Sequence, residues 1–141
     1  MKNNLIRLHA TESRFFEYDP EIPCINSTGN GFMLSDEFRS FMERGLELIR
    51  EKIKENGKLG WLIDARYMEV IDPNDKEWVV SHWNRRAYEV GLRFVAFILP
   101  DNIFTLMNIE EYTEESGESG GLTIQHFDDM ESARNWLKEV V

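Results

Sequence analysis

The first apolar runs of the chain flank an Asp-Pro turn and are typical of strands. Residues 15–19 (FFEYD) and 22–28 (IPCINST) are rich in aromatic and β-branched side chains. The Asp-Pro dipeptide between them favours a turn, and Pro23 fits a strand start or a sheet edge. The pattern therefore predicts an N-terminal hairpin.

After the hairpin, the apolar period changes to that of helices, and the helices alternate with short apolar strands. We expect Ser35 to cap a first helix that ends near residues 56–57. Residues 60–64 (GWLID) form a compact apolar strand. Asp72 then offers a cap for a second helix with proline at its first position. The predicted order in this part of the chain is therefore helix, strand, helix.

The second half continues the alternation of strands and helices. Residues 92–99 (LRFVAFIL) are apolar at nearly every position, as a strand covered on both faces must be, and are the expected central strand. Asp101 is predicted to cap a third helix, followed by an acidic, glycine-rich loop at 114–121 and a last strand at 122–127. Asp128 is predicted to begin the capping box of a final helix.

The complete order is β-β-α-β-α-β-α-β-α. Alternation of this kind predicts an α/β fold with a mainly parallel sheet and helices packed on it. We therefore expect a single domain over residues 1–141 with about five strands, an N-terminal hairpin and four helices.

The charge and cysteine content of the chain limit its possible partners and its expected compartment. The chain carries 16 basic and 26 acidic residues, and a net charge of −10 repels phosphate backbones and anionic membranes. We expect no nucleic-acid partner and no stable membrane insertion. The single cysteine, Cys24, lies in an apolar run and is expected to be a buried thiol in a reducing compartment. With no segment like a signal peptide, the expected location is cytoplasmic.

Polar residues gather where the predicted parallel strands end, the edge at which ligands bind in open sheets. Asp64 and Arg66 follow the strand GWLID, where a carboxylate could bind a cation and an arginine an anion. Asp64 could equally accept only backbone N–H bonds. Asp72 has a similar alternative, because it occupies a capping position that the helix requires in any case.

Trp78 and His82 share a flank of the second helix with two arginines, a combination suited to an anionic or aromatic ligand. A solvated helix edge explains the same pattern. The spacings contain no metal-binding motif, nucleotide-binding loop or catalytic triad. No catalytic residue, cofactor or metal is therefore predicted.

The segment from Asp64 to Asp72 resembles the STAS superfamily, whose best known members are bacterial anti-anti-sigma factors. In that family a strand end like LIDA leads to an aspartate-serine-serine-glycine turn, in which a serine is phosphorylated by a partner kinase. The two serine positions correspond to Pro73 and Asn74 here, and the glycine corresponds to Asp75. The resemblance thus implies the fold without the phosphorylation switch.

A resemblance over nearly the whole chain is to the SpoIIAA-like, or STAS/SEC14-like, proteins of unknown role in Bacteroidetes-type bacteria. It rests on the opening FFEYD, on WLIDARYMEVIDPNDKEW at 61–78, on FVAFILPDNIF at 94–104 and on FDDMESARNWL at 127–137. It implies the fold and no particular activity.

Two functional hypotheses remain open. One is a non-enzymatic regulatory or protein-interaction module that contacts its partner through Asp72, Asn74 and Asp75. The other is a protein that binds a small apolar or anionic ligand, or a lipid, in a cleft. The candidate cleft residues are Arg66, Tyr67, Trp78 and His82, beside Asp64. An enzyme using Asp64 and Arg66 is the weakest interpretation. The hairpin edge and the many aromatic side chains would also permit a homodimer.

Overall fold

The sheet contains six strands whose spatial order follows their order in the chain. The computed structural model describes residues 5–119 and 121–141, with the side chain of residue 119 excluded. The strands are β1 (Ile6–Ala10), β2 (Arg14–Asp19), β3 (Cys24–Gly31), β4 (Gly60–Met68), β5 (Phe94–Ile98) and β6 (Thr123–Phe127). The first three are antiparallel and β3 to β6 are parallel. The predicted hairpin and the mainly parallel sheet are confirmed, and β1 is an additional strand.

The helices follow the predicted alternation. They are α1 (Ser35–Asn56), α2 (Pro73–Trp78), a π-helical turn (Val79–Trp83), α3 (Asn84–Glu89), α4 (Ile103–Ser119) and α5 (Met130–Val140). The π-turn joins α2 to α3 without a break, since the residues at both of its junctions have right-handed helical dihedrals. The predicted second helix is therefore one unit with a π-turn in its middle.

The helices bury the two faces of the sheet unequally. Residues of α1, of the α2–α3 unit and of α4 join one large apolar cluster, while α5 covers a smaller cluster on the opposite face. In the large cluster, Phe16 stacks on Phe41 with ring centroids 4.0 Å apart, and Trp61 lies 5.6 Å from Trp83. Cys24 lies in the smaller cluster, where burial raises the pKa of its thiol, so the predicted buried thiol is confirmed.

Two predicted helix starts have different outcomes. Asp72 accepts a hydrogen bond from the backbone N–H of Asn74 at 2.8 Å, so its predicted capping role is confirmed. The prediction for Ser35 is wrong. Leu34 occupies the capping position, and the hydroxyl of Ser35 donates instead to Asp75 at 2.6 Å. Because the Ser35 hydroxyl bonds to Asp75 of the second helix, it does not cap its own helix.

The caps predicted at Asp101 and Asp128 are each wrong by one residue. Asn102 accepts from the backbone N–H groups that open α4, at 2.9 and 3.1 Å. Asp129 caps α5 by accepting from the N–H of Ser132 at 2.7 Å. Adjacent Asx residues are equivalent capping candidates in sequence, and the direction of chain entry decides between them.

The loop predicted at residues 114–121 is also wrong, because α4 continues to Ser119. Residue 120 lies outside the described part of the chain. A buried polar network holds this end of the helix: Tyr112 donates to Asn84 at 2.8 Å, and Asn84 donates to Ser116 at 2.9 Å. These long-range bonds offset the low helix propensity of the Ser-Gly segment.

The strand order contains no reversal, so the sheet has no topological switch point of the kind that forms a ligand crevice in doubly wound folds. The expected central strand at 92–99 is the interior strand β5, and the middle of the sheet falls between β3 and β4. Space for a ligand is found elsewhere, between the sheet and the three-helix layer.

Candidate functional site

An aromatic cavity lies between the sheet and the helix layer. Its floor includes the adjacent residues Ser27, Ile63 and Phe97, which lie opposite one another in the strand register. Side chains of α1, the α2–α3 unit and α4 close it from above, among them Phe41 and Trp83. The volume of the cavity is about 70 Å³. At about 10–15 Å³ for each water-sized group, this holds roughly five to seven such groups.

Arg14 reaches this cavity from β2 and is only 6% exposed. One terminal nitrogen, Nη2, donates to the carbonyl of Gly31 at 2.9 Å, while Nε is buried without a hydrogen-bond partner. None of the ion pairs in the described part of the chain includes Arg14. Burial lowers the pKa of Arg14, and the charge of Glu37 acts in the opposite direction. The guanidinium is thus a buried cation without a paired carboxylate.

The strand β3 leaves room for this guanidinium at Gly29. A Cβ atom on Gly29 would come within 2.2 Å of Nη1 and 2.9 Å of Cζ of Arg14. Arg14 and Gly29 are opposite one another in the β2–β3 register. The missing side chain at position 29 therefore lets the arginine lie across the backbone at the carboxyl end of β3.

A second unpaired donor lines the cavity at Trp61. Its indole Nε1 is buried without a partner, whereas Nε1 of Trp83 donates to the carbonyl of Met42 at 2.8 Å. Trp61 lies opposite Ile25, four residues before Gly29 on β3. The backbone positions of Trp61 and Arg14 are therefore about 13 Å apart along the strands. Both residues that carry an unpaired buried donor, Arg14 and Trp61, are among the lining residues of the cavity.

The cavity reaches the surface near the end of β4. Glu69 is an exposed lining residue there, while Lys76 already forms ion pairs with Glu111 at 3.2 Å and Glu115 at 3.5 Å. The hydroxyl of Thr105 donates to the carbonyl of Met68 at 3.2 Å and fastens α4 to this edge. Arg14 is thus the lining cation whose charge is not already matched.

Exposed apolar side chains surround this end of the sheet, and we call them the apolar rim. They lie in the segments that follow β3, end β4 and open α4: Phe32, Leu34, Tyr67, Val70, Ile103, Phe104 and Met107. The three segments are joined by hydrogen bonds from Glu69 to Gly31 and from Thr105 to Met68. Where such side chains form one continuous surface, they often mark an interaction site.

The predicted residues Asp64 and Arg66 come together and satisfy each other. The guanidinium donates to both carboxylate oxygens, at 2.9 and 2.7 Å, and this bonding raises the pKa of Arg66. Asp64 lies opposite Ile98 in the register, hence on the face covered by α5 and away from the cavity. Tyr67 is exposed, with its ring 6.0 Å from the guanidinium. The local structure explains the pair as an ion pair within β4, beginning at the last position that pairs with β5.

The turn residues form a separate group around Arg39. Its Nε donates at 2.8 Å to the buried carboxylate of Asp75, and its Nη2 makes a longer contact with the carbonyl of Asn74. The same guanidinium lies 5.0 Å from the ring of Trp78. His82 is exposed and shares a hydrogen bond with Ser81. The structure thus brings Asn74, Asp75 and Trp78 together through Arg39, apart from the Asp64–Arg66 pair.

None of Asp64, Arg66, Tyr67, Trp78 and His82 lines the aromatic cavity. Arg14, the buried cation among the lining residues, was not predicted because the predicted strand begins at the next residue. Alternation of side chains puts Arg14 on the same face as Phe16 and Tyr18, both of which are core residues. The sequence signal for this site was therefore an arginine that alternates onto the same strand face as two buried aromatic residues.

No family model and no curated protein matches the chain. A solved structure from Shewanella loihica PV-4 does, and it is described as an uncharacterized protein from the DUF3478 family with a SpoIIAA-like fold. The TM-score is 0.54 at 15% identity, over 97% of this chain and 98% of that one. The present chain has a SpoIIAA-like fold. At this identity the likeness concerns the fold alone.

Over residues 5–119 and 121–141, no three His, Cys, Asp or Glu side chains are grouped as metal ligands would be. No helix in the same residues has the length and apolar character needed to cross a bilayer.

Proposed function

We propose that this protein is a non-enzymatic binding module that takes a small ligand in the aromatic cavity. The observation that carries the proposal is that two residues with buried, unpaired N–H donors, Arg14 at Nε and Trp61 at Nε1, line a cavity whose other lining side chains are mainly apolar. A buried donor without a partner costs about 1–3 kcal/mol. A ligand or water that accepts from these donors would remove that cost.

The lining residues that titrate are poorly suited to catalysis. Tyr112 is held by Asn84, and burial raises its pKa to about 12. Lys76 is ion-paired, and the remaining carboxylate, Glu69, is exposed. A general acid or base works best with a pKa near the operating pH and within reach of the reacting atom. The residues that line the cavity therefore favour ligand binding over catalysis.

Xenon is a suitable probe of whether the cavity admits a guest, because it binds small apolar cavities. We expect a saturable xenon-129 shift on titration of the protein. Ile109→Phe fills the lining and should abolish this shift, whereas Ile103→Phe makes the same change on the exposed side of α4 and should retain it. Circular dichroism checks that both variants fold. No saturable shift, or equal shifts in the two folded variants, would contradict the proposal.

A second candidate is the protein-interaction module, supported by the apolar rim. Acidic side chains lie along the same segments, including Asp36, Glu37 and Glu69, all exposed. The partner that fits is a protein surface with apolar contacts bordered by basic residues. The resemblance to the STAS superfamily also favours this role.

A model peptide can test the rim directly. An amphipathic Leu/Lys helix should bind the wild-type protein, a matched Leu/Glu helix should not, and Phe104→Ser should weaken binding of the first. Equal binding of both peptides would exclude this candidate.

The predicted homodimer would appear in light scattering as a concentration-dependent mass. The free edges of the sheet are β1 and β6, so pairing through the hairpin would use β1.

A further inference from the structure

We propose that the cavity ligand is a small monocarboxylate with a short apolar tail, whose carboxylate accepts hydrogen bonds from Arg14. This inference rests on the proposed binding function and specifies its ligand. It follows from three features of the described residues: the unmatched charge of Arg14, the space made for it by Gly29, and the size of the cavity.

The positive charge of Arg14 indicates that the ligand carries a negative charge. A buried ion is expensive unless a partner neutralises it, and buried arginines normally have a carboxylate or phosphate beside them. Three other buried ions follow this rule: Asp75 with Arg39, Asp19 with Arg134 at 2.9 Å, and Asp64 with Arg66 at 2.7 Å. Arg14 is the exception, with Nη2 on a carbonyl and Nε unpaired. The missing partner is an anion.

A single unmatched cation favours a single negative charge. A phosphate monoester carries about −1.5 to −2 at neutral pH, and the chain already has a net charge of −10. The other positively charged lining residue, Lys76, is ion-paired with two glutamates. A carboxylate matches Arg14 in both charge and planar shape.

The cavity volume limits the rest of the ligand. Room for roughly five to seven water-sized groups corresponds to an acid of about four or five carbons. The floor and roof beyond Arg14 are apolar, with Ile63, Phe97 and Val79 among the lining residues. An alkyl tail would displace poorly bonded water there, which favours binding. A full phospholipid does not fit this volume.

The test compares butanoate with butanamide, its neutral counterpart of nearly equal size, by isothermal titration calorimetry on the full chain. We expect butanoate to bind at least about tenfold more tightly, as a charge-assisted hydrogen bond in a buried site implies. Inorganic phosphate is the third ligand and should bind more weakly than butanoate.

Three variants assign the effect to the guanidinium. Arg14→Met keeps an unbranched apolar stem but removes the guanidinium, and should weaken butanoate binding about 10- to 100-fold while leaving butanamide unchanged. Gly29→Ala keeps the arginine but displaces it, since the new Cβ would meet Nη1 at 2.2 Å, and should also weaken butanoate. Arg66→Met removes an exposed arginine outside the cavity and should have no effect.

The outcomes separate this inference from the function on which it rests. If butanamide binds as tightly as butanoate, the carboxylate assignment fails while the binding function stands. Tighter binding of phosphate would likewise overturn the monocarboxylate. If neither four-carbon compound binds and xenon is also excluded, the binding function itself fails. Should Arg14→Met not fold, the Gly29→Ala result and the acid-to-amide ratio still decide the question.

Discussion

Arg39 Nε donates to Asp75 Oδ1 at 2.8 Å and joins α1 to the start of α2, with the carboxylate buried and the guanidinium partly exposed. This asymmetry makes the two halves of the pair unequal. Arg39→Ala leaves a buried carboxylate with only Ser35 as side-chain donor, so it should cost about 3–5 kcal/mol. Asp75→Ala leaves a guanidinium that water can reach, and should cost less, about 1–3 kcal/mol.

Urea denaturation measures both values, and Arg44→Ala is the control, because its pair with Glu47 is exposed and should be worth less than about 0.5 kcal/mol. A larger loss for Asp75→Ala than for Arg39→Ala would show that desolvation of the carboxylate does not dominate.

The close approach of α1 to the sheet depends on Gly45. A Cβ there would lie 2.9 Å from Cζ of Phe16 and from Cη2 of Trp61. Gly45→Ala should therefore lose about 1–3 kcal/mol to overpacking, partly offset by about 1 kcal/mol of helix propensity. Gly117→Ala in α4 meets no atom within 4 Å and should instead stabilise by up to about 1 kcal/mol. Thermal unfolding of the two variants should move in opposite directions; a rise for both would contradict tight packing at Gly45.

Stability at alkaline pH should depend on Tyr112. Burial raises its pKa to about 12 in the folded protein, from 10.0 for an unperturbed tyrosine. Between these values the unfolded state binds fewer protons than the folded state. The free energy of unfolding should therefore fall as the pH rises from 10 to 12, by up to about 2–3 kcal/mol.

Urea titrations at pH 9 and pH 11.5 check this dependence. Tyr112→Phe should be less stable at pH 9, because Asn84 loses a partner, but should show a smaller fall towards pH 11.5. Tyr67→Phe, at an exposed position, should behave like the wild type. An unchanged fall in Tyr112→Phe would assign the alkaline transition to other groups.

Glu69 should oppose the binding of an anion, since its carboxylate lines the cavity without pairing to Arg14. Glu69→Gln removes this negative charge and should tighten butanoate binding roughly two- to threefold at low salt, with no change for butanamide. The gain should disappear at about 1 M salt, where the Debye length is about 3 Å. Weaker butanoate binding in Glu69→Gln would contradict this repulsive role.

The order of elements could be predicted from sequence because each is bounded by a local signal. Apolar runs mark β2, β4 and β5, and Asp72 with Pro73 opens α2 through contacts within the same turn. Where neighbouring residues offer the same chemistry, local signals fail. Asn102 caps α4 in place of Asp101, and the choice depends on how the chain leaves the sheet.

The candidate site was harder to predict because its parts come from distant segments. Asp64, with its partner Arg66 two residues away, was visible in sequence, yet the pair lies on the opposite face from the cavity. Arg14 is notable only because β3 presents a glycine beneath it and no carboxylate pairs with it. Both facts depend on tertiary packing, and only the phase of Arg14 with Phe16 is readable from sequence.

The most direct test of the account is a crystal structure of the protein with butanoate. A carboxylate oxygen should lie within about 3 Å of a guanidinium nitrogen of Arg14, with the alkyl tail beside Ile63 and Phe97 in the aromatic cavity. Butanoate bound only at the apolar rim or on Lys76, with no carboxylate oxygen on Arg14, would contradict it.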